Sequence, residues 1–257
     1  MIKAQPKISI ITVVFNGEDL IEGTIRSVIN QTYPNIEYVV VDGASKDATL
    51  ERIQPFKNQI DIFISEPDKG LYDAMNKSMQ LATGDFIWFL NCGDHLFAND
   101  TVAKMVSHYT EETDVFYGEV MLVDEKRNHV GTRSELSTQK LPDQLTWKSL
   151  KRGMVVCHQG FVPRRQLAPA YIENNLSADI EWVIQILKKS RKTTHTNIIL
   201  AEYLMGGISK KRHKQSLNDR YAILQKHFGR VPNLFNHGMI VLRGFVFKVM
   251  RFGKTKY

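Results

Sequence analysis

The amino-acid sequence predicts an α/β protein with a mostly parallel central sheet flanked by helices, followed by a basic helical extension. Three observations carry that expectation. β-Branched runs alternate with helical periodicity from residue 8 to residue 90, each run empties into an acid- or amide-bearing loop, and positive charge gathers at the C-terminus. The chain of 257 residues has 34 Lys and Arg against 27 Asp and Glu, a net +7. Twelve of those bases and a single acid lie between residues 209 and 257, a local +11, so the preceding body is slightly acidic at −4. Any surface for an anionic partner is therefore terminal rather than global.

Residues 8–14 form an unbroken β-branched run closed by Asn16-Gly17, the mark of a strand covered on both faces. Residues 20–31 place Ile21, Ile25, Val28 and Ile29 at helical spacing, and Tyr33-Pro34-Asn35 ends that helix. A second buried strand at 36–41 leads to Asp42-Gly43-Ala44-Ser45, then a short helix at 47–56 and a third strand at 60–64. Residues 71–82 are helix-like, and Thr83-Gly84-Asp85 turns into a fourth strand at 86–90. Strands that alternate with helices imply parallel pairing through right-handed crossovers.

Beyond residue 115 the pattern loosens. Strands are expected at 115–117, 119–123 and 155–162, the last broken by Cys157-His158-Gln159-Gly160; a helix follows at 179–187. Short strands at 198–200 and 203–204 precede a helix at 217–228. No Pro/Gly/Ser-rich linker divides the chain, which reads as one body, 1–208, carrying an extension, 209–257. With 43% hydrophobic residues the chain can bury a full core, which excludes disordered and disulfide-stapled classes. Two cysteines, Cys92 and Cys157, suit a reducing compartment, and the strand-like N-terminus does not read as a secretory signal.

In open parallel sheets ligands bind beyond the carboxyl ends of the strands. Here those exits carry Asn16-Gly17-Glu18, Asp42, Glu66-Pro67-Asp68 and Asn91-Cys92-Gly93-Asp94. Neither GxGxxG nor GxxxxGK[ST] occurs, so a diphosphate held here calls for a metal, and Asp42 and Asp94 are hard oxygen donors suited to Mg²⁺ or Mn²⁺. Cys92/His95 and Cys157/His158 are mixed, dissimilar pairs that disfavour structural zinc.

Taken together, ISIITVVFNGE, VVVDGASKDAT and SEPDKGLYDAMNKSMQLATGDFIWFLNCGD resemble the family 2 glycosyltransferases, which have the Rossmann-like glycosyltransferase A fold. The resemblance is greatest to a branch that builds bacterial surface polysaccharides; it is close over residues 7–95 and looser at His158-Gln159 and 177–182. It implies an inverting catalytic domain in which Val13, Phe15 and Asp42 hold the nucleotide base, Phe15 against the ring and Asp42 at its edge, with Glu18 beside them. It also implies that Asp68, Lys69, Asp73 and Asn76 flank the diphosphate and sugar. NCGD occupies the family's metal motif, usually two aspartates one residue apart. That leaves Asn91 and Cys92 on the nucleotide-sugar side and Asp94 as the one carboxylate for a divalent cation, Mn²⁺ or Mg²⁺. Asp179 matches the catalytic base, while Glu181, the acid that often follows it, and His158 and Gln159 match acceptor or sugar contacts. Ser209, Lys211 and Arg212 match a loop that closes over the diphosphate. On position alone Asp179 also fits a first-turn helix acid, and His158 a buried core histidine.

Residues 239–250, MIVLRGFVFKVM, make about 18 Å of helix against a hydrocarbon core of roughly 30 Å, too short to span. Arg243, Lys248, Arg251 and Lys254 share one broad side with most apolar residues opposite, a pattern expected of a basic helix lying on anionic lipid. Packing on the protein's own core and a homodimer contact are the competing expectations. The combined expectation is transfer of a sugar, UDP-linked, to a lipid-diphosphate-linked saccharide at the cytoplasmic face of the cell membrane, as in O-antigen or capsule assembly. A nucleotidyltransferase is the rival enzyme class, although FNGEDLIEG is acidic where that class carries a Gly-rich basic signature. A third reading is an inactive relative that binds lipid or nucleic acid. Nucleic acid is the less expected partner, because the basic residues are interleaved with Val, Phe and Met rather than spread over a stacking platform.

Overall fold

The computed structural model describes residues 5–206 and 213–250. β1 (Ile8–Val14), α1 (Ile21–Ile29), β2 (Ile36–Asp42), α2 (Thr49–Ile53), β3 (Ile62–Ser65), α3 (Leu71–Leu81) and β4 (Phe86–Phe89) follow the expected alternation. The four strands form a parallel sheet in the order β3-β2-β1-β4. β1 needs apolar residues at every position because both its faces are covered: Ile8 and Ile10 pack with Ile21 and Ile25 of α1, whereas Ile11 and Val13 pack with Ala74 and Met75 of α3. α2 is shorter than its periodicity suggests. Pro55 has no N–H to continue the ladder, and the chain tightens into a 3₁₀ turn over Gln54–Gln59.

The second half builds a mixed sheet. β5 (His95–Leu96), α4 (Thr101–Ser107), β6 (Val115–Val123), β7 (His129–Thr132), α5 (Arg133–Leu136), β8 (Phe161–Pro163), α6 (Ala178–Lys189) and β9 (Thr193–Leu204) come in that order. The strand order is β5-β9-β6-β7, with β8 also on β6; β6 and β9 are parallel and the other pairs antiparallel. A bridge between Phe86 and Arg164 joins the two sheets.

Two expectations of split strands are corrected here. β6 runs unbroken through Gly118, and β9 is one strand of twelve residues that absorbs a register shift near Asn197, which takes φ 54°. Gly118 is required by crowding: a Cβ there would lie 2.6 Å from Thr196 Oγ1 and 2.7 Å from the Ile198 carbonyl.

α7 (His213–Phe228) and α8 (Arg230–Met250) close the described chain. The expected boundary at 208/209 falls within 207–212, outside the described residues, but beyond it Ile223 and Leu224 of α7 enter the same core as Trp182 and Ile186 of α6.

Candidate active site

Parallel pairing puts all four strand exits of the first sheet on one side. The exits of β1 and β2 are sewn into one lip. Asn16, in left-handed conformation at φ 49°, donates its N–H to Ser45 Oγ (2.8 Å) and accepts from Lys46 N–H (2.8 Å). Gly17 N–H donates to Thr49 Oγ1, and Ala48 N–H to Glu18 Oε2 at 2.7 Å. Below this lip lies a cavity of about 830 Å³. Glu18, Asn91, Cys92 and Asp94 line it from the first sheet's exits, and His158, Gln159 and Asp179 line it from the second half. Seven residues named from sequence thus meet around one space.

Asp94 is 4% exposed at the turn after β4, where its N–H donates to the Asn91 carbonyl. Gln159 Nε2 donates to its Oδ2 at 2.7 Å, and Leu204 N–H to its Oδ1 at 3.1 Å. Burial pushes its carboxyl up to about 7; those two donors and the nearby Arg127 charge work against that rise. Arg127 also donates to the Gly93 carbonyl (2.6 Å) and to Glu202 Oε2 (2.6 Å), fixing the turn to β9.

Gln159 is therefore a support for Asp94. Its carbonyl is taken by Trp88 Nε1 and its Oε1 by Cys157 Sγ. Asn91 Oδ1, also on the cavity wall, is buried without a hydrogen-bond partner. An orphaned amide oxygen beside one carboxylate fits a hard divalent cation that draws its remaining ligands from phosphate and water. Among the described residues no cluster of three His, Cys, Asp or Glu could hold a metal unaided.

Asp179 lies in the first turn of α6, after Ser177, and lines the same cavity from the second half of the chain. Desolvation raises its carboxyl to about 6, opposed by its own first-turn N–H groups, with Ile180 N–H donating to Oδ1 at 2.9 Å, and by the charge of Arg220 on α7. Arg220 Nε is itself buried without a hydrogen-bond partner. Tyr72, Tyr171 and Trp182 stack beside Asp179, with ring centroids 5.3 and 4.8 Å apart. His158 Nε2 lies 2.6 Å from the Tyr171 hydroxyl, and burial lowers its pKa to about 4, so it is a neutral ring at the cavity wall.

Other expected site residues are placed elsewhere. Val13 is a core side chain, as its inward position on a doubly covered strand requires. Asp42 is wholly buried at the end of β2, outside the cavity, where its carboxylate accepts from Ser45 N–H, Ser45 Oγ and Ser65 Oγ. Asn76 clamps the Tyr171 backbone, donating to its carbonyl at 3.0 Å and accepting from its N–H at 2.7 Å. Asp68 accepts from Gly70 N–H, and Asp73 accepts from Lys69 N–H and pairs with Lys77 at 3.4 Å. These carboxylates shape the turn into α3 rather than the cavity wall. Phe15 is 61% exposed, and it and Asp68 crowd the Cα of Gly43 so closely that a side chain there would collide with the Asp68 carboxylate. Ser209, Lys211 and Arg212 lie outside the described residues.

Glu181 is corrected from a sugar contact to a clamp. Two residues beyond Asp179 is about 200° around a helix, which turns its side chain away from the cavity. At 1% exposure it accepts from Lys226 Nζ, His227 Nε2 and Gln185 Nε2 at 2.7, 2.7 and 2.8 Å. Burial works to raise its pKa, but these donors outweigh it and hold the carboxyl below its usual range. Glu181→Ala is expected to cost about 2 kcal/mol in urea unfolding and to leave donor affinity unchanged. Weaker donor binding with an unaltered unfolding curve would return Glu181 to the sugar site.

Tyr72, Tyr203 and Arg133 also line the cavity and were not singled out by sequence. Arg133 spends its donors on the carbonyls of Val155, Gln139 and Met154. Tyr72 follows DKGL directly, so an aromatic one residue into a helix after a strand exit was the signal available.

The comparisons with known proteins agree with this geometry. Residues 9–169 match the Glycosyl transferase family 2 profile. A PGL/p-HBAD biosynthesis glycosyltransferase of Mycobacterium bovis is 29% identical over 217 residues, covering 80% of each chain. The putative teichuronic acid biosynthesis glycosyltransferase TuaG of Bacillus subtilis is 27% identical over 206 residues, covering 77% of this chain and 79% of TuaG. Among solved structures, S. aureus TarS with UDP-GlcNAc superposes with a TM-score of 0.65 at 16% identity, covering 97% of this chain and 76% of that one. The mannosyltransferase PcManGT of Pyrobaculum calidifontis, with GDP-Man and Mn²⁺, gives 0.66 at 15% identity, covering 99% and 77%. With the glycosyltransferase A architecture in place and the family profile spanning most of both sheets, the chain belongs to glycosyl transferase family 2.

Proposed function

We propose that the protein is an inverting glycosyltransferase that moves a sugar from a nucleoside diphosphate, UDP in the first instance, to a lipid-diphosphate-linked saccharide during assembly of a bacterial surface glycan. The observation that carries this reading is the pairing of Asp94 and Asp179 across one cavity from opposite halves of the chain. Asp179 takes the proton of the acceptor hydroxyl as its oxygen bonds to the anomeric carbon, while the bond from that carbon to the diphosphate oxygen breaks and the nucleoside diphosphate departs from the other face. A carboxyl at about 6 is ionised at neutral pH yet more basic than an ordinary aspartate, which suits that task. Asp94, with Asn91 Oδ1, would hold a divalent cation, which when bound offsets the charge growing on the diphosphate. UDP is favoured by the neighbours solved with UDP or UDP-GlcNAc, and the surface-glycan role by the names of the mycobacterial and Bacillus relatives.

A thermal-shift series of UDP, GDP, CDP and ADP, each with Mn²⁺ or with EDTA, tests the reading, since a ligand raises the melting point by mass action. UDP with Mn²⁺ is expected to give the largest shift; no shift with any nucleoside diphosphate would end the proposal. Phe15, exposed at the lip, serves as the stacking surface for the base. Phe15→Ala is expected to weaken UDP about tenfold, within the range of base–aromatic stacking, without lowering the melting temperature of the free protein. An unchanged Kd by calorimetry would remove Phe15 from the site.

A further inference from the structure

α8 is amphipathic in the inverted sense. The side it turns to the protein is polar: Asn233 is fully buried and Asn236 is 7% exposed. Asn233 Nδ2 donates to the Tyr221 carbonyl at 3.2 Å, and His237 stands edge-on to the Tyr221 ring at 4.6 Å. The side it turns outward is apolar. Val231, Leu234, Phe235, Leu242, Phe245 and Val249 are between 55% and 80% exposed. At 100° per residue these six fall within an arc of about 100°, in a stripe about 27 Å long. A stripe of this size on a soluble surface marks a contact site.

The borders of the stripe indicate what it contacts. Residues 230–250 contain no Asp or Glu. Arg230 stands exposed near one edge of the stripe, and Arg243, half-buried, lies about 80° beyond the other edge, toward the protein-facing side. Arg152, from the loop before β8, lies close enough to Arg243 for their charges to oppose one another, and the Nε of each is buried with no hydrogen-bond partner. An apolar face without acids, with a cation near one edge and two arginines crowded together on the flank, complements a surface that is apolar inside and anionic at its edge. A second copy of the chain does not fit as well, since symmetric pairing would bring two segments of +11 together. No helix of the described residues is long and apolar enough to cross a membrane, which leaves α8 lying in the plane of the surface.

We propose that the outer face of α8 docks on an anionic lipid bilayer, with Arg152 and Arg243 taking a lipid phosphate on the helix flank beside the apolar stripe. The contact does not depend on which sugar or nucleotide the cavity takes. It would also fix the height of the cavity above the lipid, because α7 packs on α8 and is tied to α6, which carries Asp179, by the bonds of Lys226 and His227 to Glu181.

Vesicle flotation of the full chain tests this, with phosphatidylcholine alone and with added phosphatidylglycerol, at low and high salt. Wild type is expected to float with the phosphatidylglycerol vesicles and to be partly released by salt. Leu242→Ser with Phe245→Ser, both at exposed positions, is expected to lower vesicle affinity by at least about tenfold with an unchanged melting temperature. Arg152→Gln with Arg243→Gln is expected to remove the preference for phosphatidylglycerol. Wild type that stays in the lipid-free fraction overturns the proposal. So does a dimer in solution that the Ser variant turns into monomer without loss of vesicle binding.

Discussion

Asp179→Asn is expected to lower kcat by about 10² to 10⁴, the usual contribution of a positioned base, while UDP binding measured by calorimetry stays within a factor of two or so. The substitution keeps the shape of the side chain and the bond from Ile180 N–H, and removes the proton acceptor. Wild-type kcat/KM is expected to be level above about pH 7 and to fall below it, more steeply under about pH 6, because acid protonates first Asp94 and then the carboxylate that must receive the acceptor's proton. Stability runs the opposite way. A folded carboxyl raised to about 6 favours the protonated state, so its contribution is full at low pH and is lost as pH rises through that value. At neutral pH the ionised group is a burden on the fold, and the Asn variant is expected to melt higher than wild type. An Asn variant that keeps more than about a third of wild-type kcat would show that the proton goes elsewhere.

Asp94→Ala is expected to reduce kcat/KM by about 10² to 10³, the range seen when a fixed electrostatic contact to a developing charge is removed. Two effects combine. The cavity would lose the carboxylate proposed to hold the cation, and Gln159 Nε2 and Leu204 N–H lose their acceptor. The diagnostic reading is the UDP thermal shift. In wild type it is expected to be larger with Mn²⁺ than with EDTA; in the variant the two should coincide. A variant whose shift still depends on Mn²⁺ would place the cation on other residues.

The first sheet was legible because its strands are covered on both faces. The run at Ile8–Val14 admits no polar alternation, and parallel topology then forces all four exits to one side. The second sheet was less legible because short polar or small stretches imitate breaks: Gly118 divided β6 and Ala201-Glu202 divided β9 in the sequence pattern, and the part of β9 before the shift near Asn197 gave no strand signal, although both strands continue. Two-residue β5 is shorter than any periodic signal. Within the cavity, Asp94 could be named from its place at a strand exit, and Asp179 from the family motif it matches, since its position alone also fits a first-turn helix acid. Asp42, Asn76 and Glu181 show the opposite case: the same residue types satisfy backbone groups and hold helices, and a motif does not reveal which partner a carboxylate or amide meets first. Residues such as Tyr72 and Arg133 reach the cavity through tertiary packing, for which local sequence has no code.

Asp94 takes both of its side-chain hydrogen bonds from the opposite half of the molecule, one from Gln159 and one from the end of β9. On the proposed roles, recognition of leaving group and recognition of acceptor would be inherited together. A lineage that reshaped the turn before β8 to take a new acceptor would disturb Asp94 as well, and would have to mend both in the same steps.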